Sequence, residues 1–313
     1  MQVGFVAHGD ERSATARSLA THDGTGCVRA SGLARRAGMR DLTGMRIVTW
    51  NINSLRLRLP LLERLVDELS PDVICLQETK VPDEFFPEDA PARFGYPYHS
   101  RRGMKSYNGV AILSRLPISA IPDLPDRCTP DWCLKNDRRH ASAIIHAPSG
   151  PVELHDFYVP AGGDIPDPVE NPKYAHKLAF VEEATRYFAA HRPRRCILVG
   201  DLNIAPLEHD VWSHKQLKDV VSHTVPEIER MQAWMDTGFV DAMREFVTAD
   251  QKLYTWWSYR NTDWRASNRG RRLDHVWVSA DLAPTLRRLI IHESARDWPR
   301  PSDHVPVAMD LEL

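Results

Sequence analysis

"RRCILVGDLN", residues 194–203, sets an unbroken apolar run between two arginines and a Gly-Asp-Leu-Asn tail. Four apolar residues in a row cover both faces of a strand, so the run reads as a central strand buried on both sides. "DVICLQE", residues 72–78, has the same form and also ends in polar residues. Around these two, short strand patterns alternate with amphipathic helices, which is the pattern of a layered α/β protein. "RIVTW", "GVAILS", "ASAIIHA", "PVELHDFYV", "RLDHVWVS", "RRLIIHE" and "HVPVAMDLEL" supply further strands. "LPLLERLVDEL" is a helix with Pro60 near its first turn and Leu61, Leu62, Leu65, Val66 and Leu69 on one face; "KYAHKLAFVEEATRYFAAH" is a longer one.

Composition bounds what such a fold can do. The chain has 313 residues, 42% hydrophobic and 26% charged, enough for a sizeable core. A formal net charge of -2 announces no global positive field, so a polyanion partner needs a local basic patch. The five cysteines (Cys27, Cys75, Cys128, Cys133, Cys196) show no paired spacing, and Cys75 and Cys196 sit in apolar runs. They read as core thiols of a reducing compartment, placing the chain in the cytoplasm. No stretch has the length of a membrane span. Residues 1–44, rich in Ala, Arg, Ser, Thr and Gly without an apolar period, read as a disordered extension or an over-called start, leaving residues 45–313 as the folded domain.

Polar residues collect at strand ends. Asn51 and Asn53 follow the first strand, Glu78 closes the second, Tyr158 closes "ELHDFYV", and Asp201 and Asn203 close residues 194–203. In layered α/β proteins ligands bind in the crevice beyond such ends. Taken singly, each has an ordinary explanation as a turn former or helix-entry acid; four ends behaving alike is harder to explain that way. Near the C-terminus, Asp303 and His304 stand between Pro301 and Pro306, held at a strand entrance. Asp274 shares a strand face with Val276 and Val278, and a carboxylate pointing inward needs a partner. Convergence of Glu78, Asp201, Asp274 and Asp303 would demand a cation, and oxygen donors favour Mg²⁺, with Mn²⁺ possible, over zinc. Mg²⁺ with few protein ligands points to phosphoester chemistry.

"TWNINSLR", "LQETK", "YNGVAILS", "FYVPAGG", "GDLNIAP", "YTWWSYR", "RGRRLDHVWVS" and "SDHVPV" occur in an order that resembles the exonuclease III family of AP endonucleases, in its bacterial branch, from Met45 to the end. The resemblance implies a DNase I-like fold, a four-layer α/β sandwich of two mixed β-sheets face to face with helices outside. It implies Glu78 as principal metal ligand with Asn53 and Asp303 near the ion. Asn51, counted on the metal side as well, joins Tyr158 and Asn203 in positioning the phosphate and the attacking water. Asp201 then handles the proton of the nucleophile or leaving oxygen, and His304 is an imidazole oriented by Asp274. The implied reaction is Mg²⁺-dependent hydrolysis of a phosphodiester by water, with AP endonuclease, 3′-5′ exonuclease and 3′-phosphodiesterase activity by a monomer on double-stranded DNA carrying abasic sites or damaged or recessed 3′ ends.

For binding DNA, Lys80 and the loop residues Arg101, Arg102 and Lys105 could form the local basic patch. Trp256 and Trp257 match the segment that encloses a flipped-out sugar, although one of two adjacent strand tryptophans usually packs in the core. Arg271 departs from the bulky apolar residue found where an abasic-sugar pocket is well formed; it either reaches a phosphate or turns to solvent. Two other functional classes are open to such a chain. A relative acting on inositol or lipid phosphates is disfavoured by the segment from "YTWWSYR" to "RGRRLDH" and by the lack of a membrane-binding patch. A lesion-binding protein without catalysis is disfavoured because every expected catalytic position is filled.

Overall fold

The computed structural model describes residues 44–121 and 132–313. The extension assigned to residues 1–44 therefore lies, but for Gly44, outside the described residues, as do Cys27 and Cys128. Two six-stranded sheets carry the fold. The first is ordered β13 (Leu286–Ile291), β14 (Val307–Glu312), β1 (Gly44–Asn51), β2 (Val73–Gln77), β4 (Val110–Ser114), β3 (Tyr98–Arg102). The second is ordered β5 (Ile118–Ser119), β6 (His140–Ala147), β7 (Gly150–Tyr158), β8 (Cys196–Asp201), β12 (Asp274–Ser279), β9 (Phe239–Asp241). Both are mixed: β1 and β2 pair parallel, as do β7 and β8, and the other neighbours are antiparallel. A two-stranded ribbon, β10 (Trp256–Trp257) with β11 (Gly270–Arg271), stands apart from both.

Side-chain alternation builds four layers from these sheets. Ile47, Cys75, Ile112, Leu154, Ile197, Val199, Val276, Val278 and Met309 share one buried cluster between the sheets. On the far side of the first sheet, Val48, Trp50, Ile74, Leu76 and Leu113 pack on Leu61, Leu62, Leu65 and Leu69 of the helix Leu55–Leu69. On the far side of the second, Phe157, Cys196, Leu198 and Trp277 meet Phe180, Val181, Ala184 and Phe188 of the helix Pro172–His191, with Met231 and Trp234 of Val225–Met235. This is the sandwich the sequence reading expected. No helix among the described residues is long and apolar enough to cross a membrane.

Two local readings are corrected. The first helix begins five residues earlier than Pro60, which lies inside it beyond a non-helical Arg58 (φ −113°), because two helical turns join across that kink. Arg101 and Arg102 are not on a loop: both pair in β3, opposite Ala111 and Val110.

On the inner face the strands change character toward one end. The apolar sequence Ile197, Val199 is followed by Asp201, Val278 and Val276 lead to Asp274, and Leu154 leads through Asp156 to Tyr158. Register aligns these ends, since Asp201 pairs with both Tyr158 and Asp274, and Asn51 with Gln77 next to Glu78. Gly200 makes the alignment possible: at φ +140° its ideal Cβ would fall 1.9 Å from the Phe157 carbonyl oxygen, so only glycine fits.

Candidate active site

Three of the polar strand ends leave the sheet in left-handed backbone: Asn53 at φ 48°, Glu78 at φ 51° and Asn203 at φ 54°. Asparagine tolerates this region; glutamate does so at a cost in strain, which a fold sustains where the side chain must point to one place. Glu78 Oε1 accepts hydrogen bonds from Asn51 Nδ2 and Tyr158 OH, both 2.9 Å, and its Oε2 lies 2.7 Å from Lys80 Nζ. Lys80 also donates to Asn53 Oδ1 at 2.7 Å, and Asn53 Nδ2 donates to Asp303 Oδ1 at 3.1 Å. The second oxygen of Asp303 accepts from Trp256 Nε1 at 2.9 Å.

The other half of the site is built on Asp201. Its Oδ2 accepts from Asn51 Nδ2 at 2.9 Å and its Oδ1 from the Asn203 amide at 3.0 Å. His304 lies between two acids, with Nδ1 2.8 Å from Asp274 Oδ2 and Nε2 3.6 Å from Asp201 Oδ2. The pairing expected from strand alternation is thus present. Ser302 fixes the turn, donating from Oγ to the Asn51 carbonyl at 2.7 Å and accepting from the His304 amide at 3.2 Å. Around these groups opens a cleft of about 620 Å³, whose other walls include Trp212, Leu217, Val221, Arg260, Arg269 and Arg271.

Electrostatics separate the roles. Burial raises Asp201 to about 7, against the opposing pull of His304. Burial would lower His304, but Asp274 and Asp201 outweigh it and raise it to about 10, so the ring is an imidazolium at neutral pH. Tyr158 is pushed well up by burial and by Glu78 and Asp201, and remains a hydrogen-bond donor. Glu78 and Asp303 stay below their usual values despite burial, held by Asn51 and Lys80 in the first case and chiefly by His304 in the second. A cation, the Lys80 ammonium, already stands between Glu78 and Asn53. A set of hard oxygens that gathers a positive charge suits a hard divalent ion.

The residues expected to touch DNA divide. Trp256 lines the cleft, whereas Trp257 is fully buried, packed on Trp264 with its Nε1 bonded to Asn268, and cannot face a ligand. Lys80 is part of the acid cluster rather than a free surface charge. Arg101 pairs with Glu88 and stacks on Phe86, while Lys105 is exposed. Arg271 does not turn to solvent: Nη1 donates to the Val221 carbonyl at 3.1 Å and Ser222 Oγ at 2.7 Å, and its guanidinium lies 5.5 Å from the Trp256 ring.

Two supporting residues escaped the sequence reading. Lys177 is fully buried; its Nζ pairs with buried Glu227 and donates to the carbonyls of Asn203, at 2.7 Å, and Ala161, at 3.3 Å. The sequence signal was a lysine on the apolar face Tyr174, Leu178, Val181, where a charge demands a buried partner. Arg58, also buried, donates to the carbonyls of Ile52, Arg300 and Pro301 and so ties the Asn53 loop to the Asp303 turn.

Comparison with known proteins agrees with this geometry. The family described as Endonuclease/Exonuclease/phosphatase matches residues 48–304. Exodeoxyribonuclease III of Haemophilus influenzae is 29% identical over 272 residues, covering 84% of this chain and 98% of that protein. Among solved structures, a Neisseria 3′ phosphatase bound to a product DNA hairpin is 30% identical with a TM-score of 0.74, covering 86% of this chain and all (100%) of the other. An AP endonuclease from Archaeoglobus fulgidus is 29% identical with a TM-score of 0.75, at the same coverage of 86% and 100%.

Proposed function

The chain belongs to the Endonuclease/Exonuclease/phosphatase family, and from that premise we propose that its cleft hydrolyses phosphodiester and 3′-phosphoester bonds of DNA as a repair nuclease, with Mg²⁺ as the working ion. It is a hydrolytic nuclease of the exodeoxyribonuclease III and AP endonuclease type. The observation that carries the reading is the arrangement of Asp201, poised near neutrality, against an imidazolium clamped by Asp274. Asp201 accepts the proton of the attacking water, for which a pKa near the working pH is suited. Asn203 and Asn51 orient that water, and His304, charged at the moment of attack, donates from Nε2 to the phosphoryl oxygens as their charge grows. The Tyr158 hydroxyl supplies a further donor. Glu78, with Asn53 and Asp303 beside it, would hold the ion, which when bound neutralises phosphate charge.

Purified protein with Mg²⁺ or Mn²⁺ should act on duplexes bearing an abasic site, a recessed 3′ end or a 3′-phosphate, as a monomer by sedimentation. EDTA should abolish turnover, and Glu78→Gln should weaken metal binding severely with the fold intact. Full activity in metal-free buffer, or none on any of the three substrates with either ion, would overturn the assignment.

Arg271 refines the substrate. A guanidinium fixed in the wall of the cleft offers charge to a phosphate and little to a base-free sugar. Recessed or phosphorylated 3′ ends are therefore the favoured substrates over abasic sites.

A further inference from the structure

Five residues before Tyr158 on β7, and on the opposite face of the sheet, a second group of ligating side chains is assembled. Glu153 and His155 project on the outer side of β7, and Cys196 lies beside Glu153 on the parallel strand β8, in register. One ligand atom from each, a carboxylate oxygen, a ring nitrogen and the thiol sulfur, all lie within 4.8 Å of one another. His155 Nε2 is 2.5 Å from Glu153 Oε1, and its other nitrogen, Nδ1, is 2.9 Å from Nε2 of the fully buried His140. His140 stacks on Phe157 and leaves Nδ1 buried without a hydrogen-bond partner. At a strand rise of about 3.3 Å per residue, Glu153 and His155 stand roughly 16 and 10 Å along β7 from Tyr158 at the cleft.

We propose that Glu153, His155 and Cys196 form a second cation site, for a borderline divalent ion of the Zn²⁺ class. The donor set is the reason. The cleft offers hard oxygens, whereas these three present one oxygen, one imidazole nitrogen and one sulfur, which select zinc-like ions and disfavour Mg²⁺. His155 is oriented by a second ring through its remote nitrogen, the arrangement that fixes tautomer and direction in ligating histidines. The Glu153 side chain is 33% exposed and the other two are buried, so ions and a completing water enter from the Glu153 side.

Protons balance simply. Binding releases the Cys196 thiol proton to solvent. The proton between His155 and Glu153 moves to His155 Nδ1 and is donated to His140 Nε2, whose own proton passes to Nδ1. Because β7 and β8 carry Tyr158, Asp201 and Asn203 at their other ends, an ion here clamps the two strands that support the cleft.

Cobalt reports on this site alone, since a thiolate-to-cobalt charge-transfer band cannot arise from the oxygen ligands of the cleft. The full-length chain, stripped with EDTA and titrated with Co²⁺, should develop that band to one equivalent and lose it on adding Zn²⁺. Cys196→Ser should abolish the band while leaving Mg²⁺-supported hydrolysis unchanged; Glu153→Gln, at a partly exposed position, should weaken Co²⁺ binding at least about tenfold. A variant carrying Cys27→Ser, Cys128→Ser and Cys133→Ser should keep the band. No thiolate band, or one that survives Cys196→Ser, would overturn the proposal and leave the three residues a satisfied core cluster.

Discussion

Asp201 and Asp210 are both buried and stand nine positions apart in the sequence, yet they sit in opposite electrostatic worlds. Asp210 accepts from Arg272 Nε at 2.7 Å and Nη2 at 2.9 Å, from Arg244 Nη2 and from the Leu207 amide at 2.9 Å. Burial alone would raise it, but Arg272 and Arg244 hold it below the usual aspartate value. With Asp241 on Arg272 Nη1, two acids meet two guanidiniums and their charges balance. Around Asp201, four acids (Glu78, Asp201, Asp274, Asp303) face only the cations Lys80 and His304. Arg272 serves the balanced network and Asp274, two residues on, serves the open one. A cluster whose charges match is a fastener; one left short of positive charge has room for an ion and a phosphate.

The widest gap between the two regions should appear in rate. Asp201→Asn should lower kcat by about 10²–10⁴, the usual contribution of a positioned base, without lowering Tm. A variant that lost stability in proportion to activity would place Asp201 among the fasteners. Next in size, Arg272→Met should cost about 3–5 kcal/mol in urea unfolding, since it strands a buried acid, while kcat measured well below the transition changes by no more than a few-fold. A hundredfold loss of kcat in a folded Arg272→Met protein would erase the distinction.

Acid titration sharpens it further. His275, behind the balanced network, is lowered to about 3 by burial and then by Arg272, so between about 6.5 and 3 the unfolded chain binds the extra proton and stability falls as pH falls, by about 1.4 kcal/mol per unit. Asp201, raised to about 7, works the other way: between 3.8 and 7 the native state binds the extra proton, and stability rises as pH falls. The two slopes oppose each other in the wild type. Urea midpoints in EDTA should therefore drop more steeply between pH 6.5 and 4.5 in Asp201→Asn than in the wild type; equal slopes would contradict the raised Asp201.

The smallest effect concerns the wall that joins the regions. Arg271→Leu should raise abasic incision relative to 3′ trimming and make the salt slope of DNA binding shallower by about one unit, for one lost phosphate contact. An unchanged ratio with an unchanged slope would make Arg271 a structural tie to Val221 and Ser222.

Much of this was legible in the chain. Alternation along Ile197, Val199, Asp201 and along Asp274, Val276, Val278 assigns each carboxylate to the inward face, because side-chain direction in a strand is a local property of the backbone. The same parity rule allowed only one of Trp256 and Trp257 to reach a ligand, and the bounding prolines and motif order gave the Asp303-His304 turn. Pairing was another matter. Lys80 reads as part of a basic patch for DNA and Lys177 is singled out by no motif, but the first enters the acid cluster and the second, fully buried, donates to the Asn203 carbonyl. Arg101 reads as one charge of a local basic patch, and the fold pairs it with Glu88.

The sequence by itself determined the alternation of strands and helices and the inward parity of Asp274, which follow from periodicity, while motif order, through the family resemblance, supplied the four layers. Only the tertiary structure decided which charges are satisfied. Arg272 finds Asp210 across 62 residues, Lys177 finds Glu227 across 50 and Asn51 finds Asp201 across 150. Coulomb energies depend on those through-space separations and on the water excluded around them, and neither is written in the local order of residues.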